Sequence, residues 1–303
     1  MGFFAKLVEN YTNNYNAFLE FIEKFPARFE TAFIADNRWR YMVEGLGNTL
    51  LVTFYALIIG VLIGIIISLV RASWDKTAET MRPGFGKFIF GLANGICKIY
   101  ITIIRGTPVV VQLLIIFFVI MPGQPKLLAG VITFGINSGA YVAEIIRGGI
   151  MSVDKGQMEA GRSLGFGYVG TMIYIVLPQA FKTVLPSLAN EFIVLIKETS
   201  ILGFVGFTDL NRAAQIIISR TYYALIPYIA IALVYLIMVM FFTAIVNRLE
   251  RRLQQSEGQS VKGKKPTFAV IADAKRDVAQ RQMGLGNSSM DSASKTKEAR
   301  GDE

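Results

Sequence analysis

The apolar residues of this chain come mostly as long runs rather than in alternation. Ala56–Val70 is almost continuously apolar, within a stretch from Asn48 to Val70. A membrane-crossing helix needs about 20 such residues to span about 30 Å of hydrocarbon. Five segments meet that need: residues 48–70, 99–121, 127–146, 188–207 and 224–246. The first holds Gly60 and Gly64, a small-xxx-small spacing that lets helices approach closely; ordinary packing within one subunit is its simplest use. In the second, Gly106-Thr107-Pro108 predicts a kink, since proline removes a backbone donor and crowds the preceding turn. Ahead of the spans the pattern changes. Phe4, Leu7, Val8, Tyr11, Tyr15, Phe18, Leu19 and Ile22 recur at helical spacing among polar residues. This predicts an amphipathic N-terminal segment over residues 1–47, lying at the membrane interface or packed on the bundle. After the last span periodicity fades, and residues 247–303 read as a basic, disordered or weakly helical cytoplasmic tail whose lysines could touch anionic lipid.

Composition agrees. Of 303 residues 53% are hydrophobic and 17% charged, against about 25% charged in an average soluble domain. The net charge of +9 therefore reads as membrane topology and not as nucleic-acid binding, because basic residues gather on the cytoplasmic side of spans. Arg71–Arg105 carries six Lys/Arg and Arg147–Lys182 carries four, whereas the Met121–Lys126 turn carries one and the Thr208–Tyr223 loop two. The two richer loops are expected inside, which places the N-terminus outside and the C-terminus in the cytoplasm. The chain has no histidine and one cysteine, Cys97, so no internal disulfide forms and Cys97 reads as a small apolar filler. No catalytic or metal-binding constellation is expected.

The third inter-span loop, residues 152–186, is the most informative segment. Lys155–Tyr168 predicts a short helix ended by Gly165 and Gly167, since glycine accepts the left-handed turn that closes helices. Such a helix either packs on its own bundle or offers a ridge of small residues to a partner. No G-x-x-x-x-G-K-[ST] occurs, so the usual phosphate-cradling loop is absent, and work driven by ATP requires a second polypeptide.

Glu159-Ala160, Gly165, Ile175 and Leu177-Pro178 resemble the loop by which permeases of ATP-binding cassette importers grip their ATPases: Glu-Ala-Ala, three residues, Gly, nine residues, Ile, one residue, Leu-Pro. Gly161 stands where that pattern has alanine, at a cost of about 1 kcal/mol in helix propensity. Further motifs resemble the polar amino acid branch of the family. They are Tyr100 with Arg105-Gly106-Thr107-Pro108 and Val111-Gln112, then Gly139–Ile150, Lys155-Gly156-Gln157, Leu177–Ala180, Leu195–Ser200 and Leu249–Leu253. The resemblance covers Trp39 to Leu253. It implies an all-α, five-span, type I (MetI-like) importer permease in a bacterial plasma (inner) membrane, with a cytoplasmic coupling helix. It implies ABC ATPase subunits that use ATP and Mg, a second permease subunit (a copy of this chain or a related one), an extracellular solute-binding protein and an amino-acid substrate. This chain itself would bind no cofactor and catalyse nothing. Glu159, Ala160, Gly161, Ser163, Leu164 and Gly165 would contact the ATPase.

Polar residues inside spans are the substrate candidates, because a charge at a helix centre costs about 2.5–3.5 kcal/mol on insertion scales and normally faces a cavity or a partner. Glu144 and Arg147 stand three apart and either pair with each other or face the pathway. Lys197, Glu198, Thr199 and Ser200 precede Gly203 in a segment of weak helix formers, where an opened helix would offer hydroxyls and backbone groups to a zwitterion. Gln112, Asn137 and Tyr141 would add hydrogen bonds; glue between subunits is the competing role for each. Two other classes stay open from the residues alone: an ion-coupled secondary transporter without an ATPase, and a membrane receptor or scaffold.

Overall fold

The longest apolar run forms the longest transmembrane candidate, α1 (Trp39–Thr77), in a computed structural model that describes residues 22–262 with Lys6, Leu19 and Glu20, and side chains as far as Leu253. The chain divides into two compact units, Met1–Arg248 and Leu249–Glu303. Of the second, the described part is the helical stretch up to Lys262. After α1 come α2 (Phe85–Gly106), α3 (Val109–Ile115) and α4 (Lys126–Ser152). Then follow α5 (Lys155–Ser163), α6 (Tyr168–Thr171), α7 (Leu177–Glu198), α8 (Leu210–Thr221) and α9 (Leu225–Lys262). No strand occurs among the described residues.

Helix α4 is the most enclosed, and glycines on both sides of its contact with α1 set the spacing. A Cβ on Gly60 would meet Ser138 Cβ at 2.9 Å, and one on Gly64 would meet Val142 Cγ1 at 2.4 Å. From the α4 side, a Cβ on Gly135 would meet Ile59 at 2.7 Å and one on Gly139 would meet Ile63 at 2.8 Å. The Gly60–Gly64 spacing thus serves packing within this chain. Phe134, Leu113, Leu195 and Leu202 fill the space where α1, α3, α4 and α7 meet.

Several span boundaries differ from the sequence expectation. Helix α1 overruns residues 48–70 at both ends. The 127–146 segment likewise continues to Ser152. The expected kink in 99–121 is a complete break: Thr107 and Pro108 are extended, with ψ of 144° and 133°. Helix α2 consequently begins at Phe85, and α3 with the wide π turn Ile116–Ile120 forms a separate short apolar piece. The 188–207 span is shifted. Helix α7 starts at Leu177, accommodates Pro186 internally and stops at Glu198, where Thr199–Val205 tightens into a 3₁₀ helix ending on left-handed Gly206 at φ 71°. Four helices, α1, α2, α4 and α9, are long and apolar enough to cross a membrane among the described residues, and α7 is not one of them. The Thr208–Tyr223 loop contains α8, whose start Asp209 caps by accepting from Arg212 N at 2.9 Å.

The N-terminal amphipathic pattern from Phe4 to Phe18 lies outside the described residues. Its continuation is helical over residues 22–29 and bends through left-handed Asp36 and Asn37. There Ala32 and Phe33 pack on Ile217 and Ile226, so this part sits on the bundle. Residues 247–262, expected to be disordered or weakly helical, continue the last apolar helix; 263–303 lie outside the described residues.

Candidate coupling loop and intramembrane polar site

The 152–186 loop folds as the glycine pattern requires. Asp154 caps α5 by accepting from Gly156 N at 2.6 Å. At the other end Phe166 N donates to Gly161 O and Gly165 N to Arg162 O, at 3.1 and 3.0 Å, with Gly165 at φ 87°. This is the Schellman closure, which satisfies carbonyls that a helix end otherwise strands. Glu159, Ala160, Ser163, Leu164 and Gly165 are all exposed, Leu164 to 76%.

Gly161 differs from the other five: it is buried against the turn after α6. A Cβ there would lie 2.5 Å from Thr171 Cγ2 and 2.9 Å from Ile175 Cδ1. Its side of α5 therefore faces its own chain and not a partner. The same approach explains why glycine stands where alanine was expected. Met158 lies on the inward side too, packed against a cluster of Ala72, Ile150, Met172, Val176 and Ala180. Helix α5 thus packs one face on its own chain and leaves the other exposed. Beyond it Phe166, Val169, Ile173 and Tyr174 continue the exposed apolar surface. A cleft of about 890 Å³ separates the loop from the end of α1, walled by Asp75, Lys76 and Glu79 on one side and Glu159, Arg162 and Tyr168 on the other.

The intramembrane residues sort into distinct roles. Pro108 breaks the helix, and Gln112 repairs the damage. Its Nε2 donates to Ile104 O at 2.8 Å and lies 3.2 and 2.8 Å from Thr107 O and Oγ1. Asn137 Nδ2 then donates to Gln112 Oε1 at 3.1 Å, tying the break to α4. Both side chains are buried and committed to structure.

Glu144 and Arg147 do not pair with each other. Glu144 pairs with Arg105 of α2, and Arg147 with Asp75 of α1 at 3.1 Å. The Arg105 guanidinium also lies over the Tyr141 ring, 4.9 Å from its centre. Arg105, Tyr141 and Glu144 thus form one half-exposed cluster.

The Lys197–Ser200 stretch lies at the end of α7. Lys197 is exposed, Glu198 and Ser200 are half-buried, and buried Thr199 donates back to Ile196 O at 2.9 Å. Asn211 of α8 holds the Ser200 carbonyl at 3.2 Å. The helix opens here into a 3₁₀ turn, and its half-buried carboxylate and exposed ammonium are separate from the Gln112–Asn137 network.

Two acidic groups were missed in the sequence. Glu191 is buried in α7 and accepts from Ser138 Oγ at 2.8 Å. Its signal was a lone carboxylate inside an apolar run. Asp209 is fully buried, and burial pushes its carboxyl from 3.8 to about 6. Helix α1 crosses it so closely that a Cβ on Gly45 would lie 2.7 Å from Asp209 O.

Comparison with known proteins matches this arrangement to one family. Residues 85–255 match the family described as "Binding-protein-dependent transport system inner membrane component". The arginine transport system permease protein ArtQ of Bacillus subtilis is 39% identical over 225 residues, 72% of this chain and 94% of that protein. The glutamine transport system permease protein GlnP of Escherichia coli K12 is 37% identical over 218 residues, 70% and 93% of the two chains. A crystal structure of an amino acid ABC transporter with histidines shares 42% identity at a TM-score of 0.64, covering 73% of this chain and 98% of that one. The inward-facing MetNI methionine transporter, at 19% identity and a TM-score of 0.57 over 70% and 95% of the chains, supports the fold. The chain belongs to the binding-protein-dependent transport system inner membrane component family and has the MetI-like fold of an ABC importer permease.

Proposed function

We propose that this chain is the translocating subunit of an ATP-driven importer for a polar amino acid. It works with a second permease chain, separate ATPase subunits that use ATP and Mg, and an extracellular solute-binding protein. The N-terminus is taken as outside and the C-terminus as inside, because the coupling loop carries Lys155 and Arg162 and because Arg248, Arg251 and Arg252 follow the last apolar run. The single observation that carries this reading is α5, held by its own chain at buried Gly161 while Glu159, Ala160, Ser163 and Leu164 stay exposed. A helix anchored on one face and free on the other transmits a partner's movement to the bundle, biasing it between two packed states. The relatives named for arginine and glutamine transport support an amino acid as cargo. The opened end of α7, with Lys197, Glu198 and Ser200, offers both charges that a zwitterion needs, and Glu144 and Tyr141 with Arg105 offer a second polar wall. Gln112, Asn137 and Thr199 support these walls from behind.

The test is purification in detergent after co-expression with the ATPase and binding protein, followed by reconstitution. Co-purification of a P-loop ATPase and amino acid uptake that requires ATP support the reading. Uptake driven by an ion gradient with no ATPase present overturns it.

A further inference from the structure

The polar face of α2 is only partly covered within this chain. Seen down its axis, α2 has three faces. Phe90, Cys97, Ile101 and Ile104 point inward, against Trp74 and the α1–α4 contact. Phe88, Leu92, Ile96, Ile99 and Ile103 form an exposed apolar face suited to lipid. Between these, Lys87, Lys98, Thr102 and Arg105 share a third side, open at Gly95 and covered at Gly91 by the Trp74 ring. Arg105 is neutralised by Glu144. Lys98 is exposed, and among the described residues no carboxylate pairs with it. It stands eight residues beyond Phe90, which packs on Trp74, and eight before the end of α2 at Gly106. At 1.5 Å per residue that is about 12 Å of helix in either direction. An unpaired ammonium at that position is costly in hydrocarbon and belongs beside water or a partner charge.

We propose that this face of α2 walls the water-filled transport pathway, and that the Lys98 ammonium binds the carboxylate of the amino acid in passage. The inference rests on the importer reading. Two cations of the face lack a carboxylate among the described residues: Lys87, whose Nζ reaches the Met81 carbonyl at 3.4 Å near the start of the helix, and Lys98 at its middle, while the Arg105 guanidinium is held by Glu144 and Tyr141. Thr102, one turn further on, adds a hydroxyl on the same side.

The experiment uses the full chain in its assembled complex, in membranes, with Cys97→Ser as background. Single cysteines replace Lys98 and Thr102 on the polar face, and Ile96 and Ile103 on the apolar face. A membrane-impermeant, positively charged methanethiosulfonate should modify the first two about ten times faster or more, because a thiolate forms only where water reaches it. Equal rates at all four positions, or faster reaction at Ile96 and Ile103, overturn the pathway face. If Lys98→Cys fails to assemble, Thr102→Cys carries the comparison. For the carboxylate contact, Lys98→Gln should raise KM for uptake about tenfold or more, the worth of a hydrogen bond to a charged group, and Lys98→Arg should retain uptake. An unchanged KM in Lys98→Gln overturns it, as expected if the amine reaches lipid headgroups instead. Absence of ATP-driven uptake in the unaltered complex refutes the importer reading separately, since the labelling needs no uptake.

Discussion

Gly161→Ala sets two effects of comparable size against each other, and the structure decides between them. Alanine favours a helix interior over glycine by about 1 kcal/mol, so propensity alone predicts stabilisation. The added Cβ would stand 2.5 Å from Thr171 Cγ2, and 2.9 Å from both Thr171 Oγ1 and Ile175 Cδ1. The isoleucine methyl can swing aside. Thr171 cannot: it is fully buried, branched at Cβ, and its hydroxyl donates to Gly167 O at 3.1 Å. Overpacking of this kind costs about 1–3 kcal/mol, and displacing the hydroxyl forfeits about 1 kcal/mol more. The balance is a loss of about 1–3 kcal/mol, or roughly 2–12 °C in the unfolding midpoint for a domain of this size. Thr171→Ala removes both close atoms of that side chain, so the double variant should recover the loss and reveal the propensity gain. The assay is a double-mutant cycle on thermal unfolding of the purified complex in detergent. A midpoint raised by Gly161→Ala alone, or additive effects with no coupling to Thr171, would refute the packing argument.

Four other outcomes are expected. Gln112→Leu should strand the Ile104 and Thr107 carbonyls at the α2–α3 break and lower stability by about 1–3 kcal/mol, read as a drop in unfolding midpoint; an unchanged midpoint would mean the break holds itself. Glu144→Gln should impair uptake, and exchanging Arg105 with Glu144 should restore part of it where either single reversal does not. Gly64→Val should collide with Val142, 2.4 Å from the new Cβ, and prevent assembly, with Val142→Ala giving measurable rescue in membrane yield. Burial raises Asp209 from 3.8 to about 6, so its contribution is fully present below about pH 4 and lost as pH rises through 6. The worth of that shift is about 3 kcal/mol. Asp209→Asn keeps a cap acceptor without the charge, and should flatten the pH 4–7 part of a stability profile that otherwise falls; an unchanged slope would assign it elsewhere.

Much of this was legible in the residues because it depends on local chemistry. Gly165 announced the end of α5, and the apolar runs announced the bundle. Thr107-Pro108 announced a fault in the second span, but its depth depended on Gln112 arriving from the far side to satisfy the freed carbonyls. Spacing suggested that Glu144 and Arg147 pair, since they are neighbours on one helix. Their real partners, Arg105 and Asp75, come from α2 and α1, and only the tertiary packing selects them. Helix α8 escaped notice because it is short and polar, and Glu191 because one carboxylate in an apolar run is silent until Ser138 is placed beside it. Gly161 looked like a weakened helix position; the close approach of Thr171 makes it a requirement.

The central claim is that the exposed face of α5 transmits ATP-driven movement to a pathway in this chain. Proteoliposomes containing the chain, its ATPase and its binding protein test it, with ATP hydrolysis and amino acid uptake measured together. The comparison is between the unaltered protein and a variant changed only on the exposed face, Ala160→Asp with Leu164→Ser. The account predicts ATP-dependent uptake that the variant loses, with weakened ATPase binding and an unchanged unfolding midpoint for the permease. Full uptake by the variant, or uptake without ATP, would contradict it.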